Sequence, residues 1–163
     1  VMKAQAVAQN MGTRIDVIQP MYSLVKRQAE VEIMPMCTDQ DIEIVPYSPL
    51  GGGLLTGKYA AGGTGRLTED SRYATRYGQQ WMHDAAAAFS ALAARENIAP
   101  ATLAVAWAAA HVSHPSPIIS ARNINQLEPS LAANTYALSD QLYAEITALT
   151  PSLGPATDRL EEA

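Results

Sequence analysis

Two stretches of this sequence combine residue types suited to holding a phosphate-bearing ligand. The first is Pro46-Tyr47-Ser48-Pro49-Leu50-Gly51-Gly52-Gly53. Where glycines let the chain turn tightly, successive backbone N–H groups can converge on an anion. Ser48 adds a hydroxyl donor, and Tyr47 offers a flat ring for stacking. Taken alone, a triple glycine describes a purely structural loop equally well. The second stretch is Ile118-Ile119-Ser120-Ala121-Arg122-Asn123, which runs into what reads as a capped helix. A helix N-terminus presents unpaired N–H groups and a partial positive charge, both suited to phosphate. Arg122 beside it can make paired hydrogen bonds to phosphate oxygens. On its own, an ordinary surface arginine next to a helix is the simpler account.

Other reactive residue types read as structural. His111 and His114 are three apart at a helix end, but no Cys, Asp or Glu of matching spacing lies nearby to complete a metal site. His83 opens a helix and is expected in solvent. Cys37 sits beside Met34 and Met36 and is expected to be a buried thiol, with no acid–base partner in view. Tyr22 follows Pro20 past a strand end, where packing is a better expectation than acid catalysis. Trp107, among Leu103, Ala104 and Ala108, is expected in the core; Trp81 lies near the loop and could reach a substrate. Glu161 and Glu162 read as a solvated terminal charge pair.

The elements that would position these residues follow from periodicity and punctuation. Residues 1–11 carry Ala4, Val7, Ala8 and Met11 at helical spacing, with Gly12 as a stop. No capping residue precedes Val1, so the chain is expected to open in mid-helix, as if continued from something longer. A strand is expected over 15–19, a helix over 26–40 broken or restarted at Pro35, and a second strand over 42–45 closed by Pro46. Residues 47–78 read as one long loop, of a length that is usually functional. Helices are expected over 83–97 and 101–112, and a third short strand over 117–119. Two further helices are expected over 123–134, with Asn123 and Gln126 at capping-box spacing, and over 139–149, capped by Ser139. Strands alternating with helices imply parallel pairing. Three strands alone would leave edges uncovered, so the pattern is that of part of a barrel.

Composition sets the outer limits. The 163 residues are 48% hydrophobic and 17% charged, enough to bury a core, yet short of the ~250 residues of a complete α/β barrel. A net charge of −5 argues against non-specific nucleic-acid binding. The single cysteine excludes an internal disulfide, and no apolar run approaches the ~18 residues of a membrane helix. With no visible signal peptide, a cytoplasmic location without membrane or nucleic-acid partners is the expectation.

Taken together, three segments resemble one family. They are Gln19-Pro20-Met21-Tyr22-Ser23-Leu24, the run from Tyr47 through Gly53-Leu54-Leu55-Thr56-Gly57-Lys58-Tyr59, and Ile119-Ser120-Ala121-Arg122-Asn123 followed by Gln126-Leu127-Glu128. Their order and spacing resemble the aldo-keto reductases from about residue 2 to 149. The resemblance implies a (β/α)8 TIM barrel, of which residues 1–150 would be the C-terminal half. That half would have three parallel strands with flanking helices, incomplete as a closed barrel, and residues 151–163 would be a C-terminal tail. It also implies NADPH as cofactor and a small carbonyl compound as substrate. By resemblance, Gln19 bonds the nicotinamide carboxamide and Tyr47 stacks on the nicotinamide ring. The loop Ser48, Pro49, Leu50, Gly51 and Gly52 wraps the pyrophosphate, with Lys58 and Arg66 closing over it. Ser120, Arg122 and Gln126 line the adenosine 2′-phosphate pocket.

Some positions depart from the family pattern. Ser120 stands where glycine is frequent, and Pro129-Ser130 where an acid and an asparagine are frequent, which removes adenine-side hydrogen bonds. The tyrosine, lysine, aspartate and histidine that the family uses for proton transfer belong to earlier strands. No catalytic residue is therefore expected in this chain. The reading is a partial NADPH-dependent reductase whose parent reduces an aldehyde or ketone; a non-catalytic NADPH-binding or partner-binding half-barrel is the rival. A half barrel alone would expose apolar faces and is expected to self-associate.

Overall fold

The computed structural model describes residues 1–154. Its elements are α1 (Met2–Asn10), β1 (Val17–Ile18), a 3-10 turn (Gln28–Glu30), α2 (Ile33–Asp39), β2 (Glu43–Ile44) and a second 3-10 segment (Gly51–Thr56). There follow α3 (Arg66–Glu69), α4 (Ser71–Arg76), α5 (Gln80–Arg95), α6 (Pro100–Ala109), α7 (Ile124–Leu131), a 3-10 turn (Ala132–Thr135) and α8 (Asp140–Thr147). Of the tail expected over 151–163, positions 155–163, with Glu161 and Glu162, lie outside the described residues.

β1 and β2 pair in parallel, Val17 opposite Glu43 and Ile18 opposite Ile44. Hydrogen bonding extends beyond these short strands: Glu43 N–H donates to Asp16 O (2.8 Å), Val45 N–H to Ile18 O (2.9 Å) and Tyr47 N–H to Pro20 O (2.9 Å). The expected third strand over 117–119 is not formed as a strand. Its neighbourhood does run alongside β2, with Ser116 N–H donating to Ile44 O and Ile118 N–H to Pro46 O, each at 2.8 Å. A parallel ladder would return a bond from the N–H of position 46 to Ser116 O. Pro46 has no N–H to give. The sheet is therefore two-stranded, and the segment hangs on it by one-way bonds.

The restart expected at Pro35 within 26–40 is present: a 3-10 turn is followed by α2, whose first turn holds Pro35, where its missing N–H has no partner to lose. One other expectation needs correction. The loop expected over 47–78 holds the Gly51–Thr56 turn, α3 and α4. These helices are four and six residues long, too short for a 3.6-residue repeat to show in sequence. The caps expected at Asn123 and Ser139 are present, accepting from Gln126 N–H (3.1 Å) and Leu142 N–H (3.2 Å).

The core gathers around α6. Pro100 opens it, and Ala101 through Ala108 are all buried, as for a helix enclosed on every side. Trp107 stacks on Tyr22 (5.3 Å between centroids) and on Tyr143 of α8 (5.8 Å), and its indole N–H donates to Thr147 (2.9 Å). Beneath it Arg27 makes a two-pronged contact with Glu30 (2.8 and 2.9 Å) and reaches Thr150 (3.0 Å). Tyr22 donates its hydroxyl to the same carboxylate at 2.8 Å. Burial, reinforced by the Glu30 charge, holds the Tyr22 proton far above the ordinary tyrosine range, so this group is structural. Among the described residues, no helix is long and apolar enough to cross a membrane.

Candidate cofactor-binding site

Parallel register brings the ends of β1, β2 and the 116–118 segment to one side of the molecule. Gln19 follows β1 directly and is exposed. Tyr47 closes β2, bridged to Met21 in parallel register, with 36% of its surface open. Ser120 stands exposed where the third segment leaves. One edge thus carries the residues expected at the nicotinamide end and the first of those expected at the adenosine end.

Beyond Tyr47 the backbone makes a run of left-handed turns. Ser48 (φ 62°), Gly51 (φ 56°), Gly52 (φ 65°) and Gly53 (φ 94°) all have positive φ. Gly51 N–H donates back to Ser48 O and Gly53 N–H to Leu50 O, both at 2.9 Å. A non-glycine residue at positive φ is uncommon, and at Ser48 the turn is supported from below. The Tyr77 hydroxyl, wholly buried, lies against Ser48 and within 3.8 Å of the Met21 sulfur. Burial pushes the Tyr77 pKa up to about 12. Pro49 and Gly51 are buried, while Gly52 and Gly53 are partly open.

Lys58 lies in a slot left by two glycines. A Cβ placed on Gly53 would sit 3.0 Å from Lys58 Cε, and one on Gly65 would overlap Lys58 Nζ. The ammonium also sits 4.8 Å from the Tyr59 ring centroid. Tyr59 ties the wall together: its hydroxyl donates to Gly52 O (3.1 Å) and accepts from Leu67 N–H (3.2 Å). Arg66, at the start of α3, is exposed and donates to the Tyr73 hydroxyl (3.3 Å). Tyr73 is flanked by two guanidinium groups, Arg66 and Arg76, each 5.4 Å from its ring.

Arg122 joins the two expected halves of the site. Its guanidinium pairs with Glu69 of α3 at 3.4 Å across 53 residues of sequence. Its backbone N–H donates to Gln126 Oε1 (3.2 Å), so Gln126 reaches one residue further back than the capping box expects. Ser130, one of the departures, is buried at 2% exposure, with its hydroxyl enclosed.

The remaining candidates lie elsewhere in the fold. Cys37 is buried, which pushes its thiol pKa up and away from nucleophilic use. His111 accepts from Ser113 N–H (3.1 Å), with its pKa lowered by burial. No metal-ligating cluster is found among the described residues. Trp81 donates to Gln79 (2.6 Å) and is half-buried. A cleft of about 450 Å³ lined by Asp16, Asp41, Glu43 and His114 lies at the opposite, N-terminal end of the strands, away from the glycine turn.

Sequence reasoning missed Tyr59, Glu69, Tyr73 and Tyr77. The last two stand four apart and stack at 6.4 Å, an i,i+4 aromatic pair that marks a helix inside the supposed loop.

The Aldo/keto reductase family model matches residues 1–151. The chain belongs to the aldo/keto reductase family. It is similar to "Protein tas" of Escherichia coli (strain K12), 34% identical over 139 residues, covering 83% of this chain and 40% of that protein. It is similar to "Aldo-keto reductase yakc [NADP(+)]" of Schizosaccharomyces pombe, 30% identical over 128 residues, covering 77% of this chain and 38% of that protein. It is also similar to the "NADH-specific methylglyoxal reductase" of E. coli, 32% identical over 130 residues, covering 77% and 39%. The chain thus spans about two fifths of the length of these relatives. Aldo/keto reductase membership implies a (β/α)8 barrel and use of a nicotinamide cofactor; the described residues form an open, helix-rich arrangement on a two-stranded parallel sheet.

Proposed function

We propose that this chain is the C-terminal half of an NADPH-dependent reductase barrel, residues 1–150, and provides its cofactor-binding wall. The observation that carries the reading is the turn from Ser48 to Gly53, whose positive-φ backbone would be blocked by a Cβ at Gly52 or Gly53 and is walled by Lys58. Gly51 and Gly53 N–H close the turn on itself, so the N–H groups that could face a pyrophosphate are those outside these two bonds, with the lysine supplying the countercharge. The bound cofactor, NADPH, supplies hydride to an aldehyde or ketone.

Each residue then has a defined task. Tyr47, open at the strand end, presents its ring as a stacking surface for the nicotinamide and covers one face. Gln19, at the adjacent strand end, holds the carboxamide. Ser48, Pro49, Leu50, Gly51 and Gly52 follow the pyrophosphate, with Lys58 alongside and Arg66 at the rim. Ser120, Arg122 and Gln126 form the 2′-phosphate pocket: Gln126 fixes the Arg122 backbone, and the guanidinium, paired with Glu69, is the group that binds the phosphate. A phosphate on the ribose gives that guanidinium a charged, two-oxygen partner, which favours NADPH over NADH. Reduction also needs a proton donor beside the carbonyl oxygen, and that role is assigned to the rest of the parent protein.

The test is a cofactor-oxidation assay on the full-length protein. A panel of small aldehydes and ketones should cause NADPH absorbance to fall, with Tyr47→Ala weakening the nicotinamide contact by roughly 1 kcal/mol. No oxidation with any carbonyl, together with no cofactor binding, would sink the proposal.

A further inference from the structure

We infer that Glu69 is a specificity-determining residue that lowers the preference for the phosphorylated cofactor by occupying Arg122. The inference rests on the assignment of Arg122 to the 2′-phosphate. Glu69 and Arg122 meet at 3.4 Å, with 50% and 70% of their side chains exposed. A carboxylate and a phosphate make the same kind of two-oxygen contact with a guanidinium, so both cannot hold the same N–H face. Glu69 Oε2 holds Arg122 Nη2 at 3.4 Å, so a phosphate that engages the guanidinium through Nη2 must displace it. A cofactor with a bare 2′-hydroxyl asks nothing of Arg122 and leaves the pair intact. The pair therefore weakens NADPH and leaves NADH untouched, narrowing the gap between them.

The position of Glu69 makes this more than a chance surface contact. It sits on α3, whose first residue, Arg66, donates to the Tyr73 hydroxyl, and whose Leu67 N–H is held by Tyr59. Tyr59 in turn bonds Gly52 O. Glu69 is thus fixed from the pyrophosphate side while its carboxylate reaches the adenosine side. An exposed ion pair of this kind is worth ~0.2–1 kcal/mol, which is about a 1.4- to 5-fold change in affinity.

The test is fluorescence titration of the full-length protein with NADPH and NADH, wild type against Glu69→Gln. The substitution keeps shape and removes charge at an exposed site, so folding should be unaffected. NADPH affinity should tighten about 1.4- to 5-fold with NADH affinity unchanged, and the gain should disappear when Arg122→Leu is also present. If both cofactors bind but Glu69→Gln leaves their ratio unchanged, or the gain persists without Arg122, the inference is overturned while the proposed function stands. If the wild type binds neither cofactor, both fall together.

Discussion

Replacing Gly52 with alanine tests how the glycine turn is built. Gly52 has φ 65°, and a Cβ there would lie 3.0 Å from Tyr73 Cδ1, 3.1 Å from Leu67 Cδ1 and 3.1 Å from Tyr77 Cε2. Two penalties follow. A side chain in the left-handed region costs ~1–2 kcal/mol, and forcing a methyl into a filled space ~1–3 kcal/mol. Leu67 and Tyr73 are only partly buried and can yield, whereas Tyr77 is wholly buried and cannot. The sum should fall near the lower half of the range, about 2–3 kcal/mol. Gly62 is the control: its φ is 77°, but nothing lies within 4 Å of its would-be Cβ. Gly62→Ala should therefore cost only the backbone part, ~1 kcal/mol. Urea unfolding of full-length protein measures both, and NADPH titration should show affinity lost only for Gly52→Ala. Equal destabilisation by the two substitutions, or a change of under about 0.5 kcal/mol at Gly52, would refute the packing argument.

Other perturbations read different parts of the structure. Glu30→Gln leaves Arg27 without its charge partner where both side chains are 12% exposed, and should destabilise by about 3–5 kcal/mol in thermal or urea unfolding. Tyr77 keeps its proton in the fold up to about 12, whereas the unfolded residue ionises near its ordinary value of 10.0. The folded state binds more protons over that window, so stability from this group is complete below about pH 10 and is lost as pH rises towards 12. Tyr77→Phe should therefore lose less stability than wild type between about pH 9 and pH 11.5 in urea melts; equal losses would contradict it. Arg122→Leu should weaken NADPH at least about ten-fold and NADH by under two-fold in the same titration. Equal effects on both cofactors would remove Arg122 from the 2′-phosphate.

The parts of this structure that were legible in sequence share a local cause. Asn123 and Ser139 cap helices because their side chains satisfy the N–H groups immediately after them. Trp107 is core because every neighbour on α6 is apolar. The glycine turn was visible because Gly51-Gly52-Gly53 follows a strand closed by Pro46. What stayed hidden depends on partners distant in the chain. Ile118-Ile119 predicts a third strand, but its pairing needs an N–H that Pro46, more than seventy residues earlier, lacks. Glu69 carries no signal in the sequence, because nothing local says that it meets Arg122. Tyr77 likewise gave no sign that it would support Ser48 from beneath.

The central claim is that the wall from Gln19 to Gln126 holds a nicotinamide dinucleotide. The most direct measurement is equilibrium titration of the full-length protein with NADPH, followed by cofactor fluorescence, for wild type and Lys58→Ala. Lys58 fills the slot between Gly53 and Gly65, so its loss removes the countercharge while clearing rather than crowding the turn. Saturable binding of one NADPH per chain, weakened about ten-fold or more by Lys58→Ala, is the predicted result. Absence of saturable binding by the wild type, or full affinity without Lys58, would contradict the account.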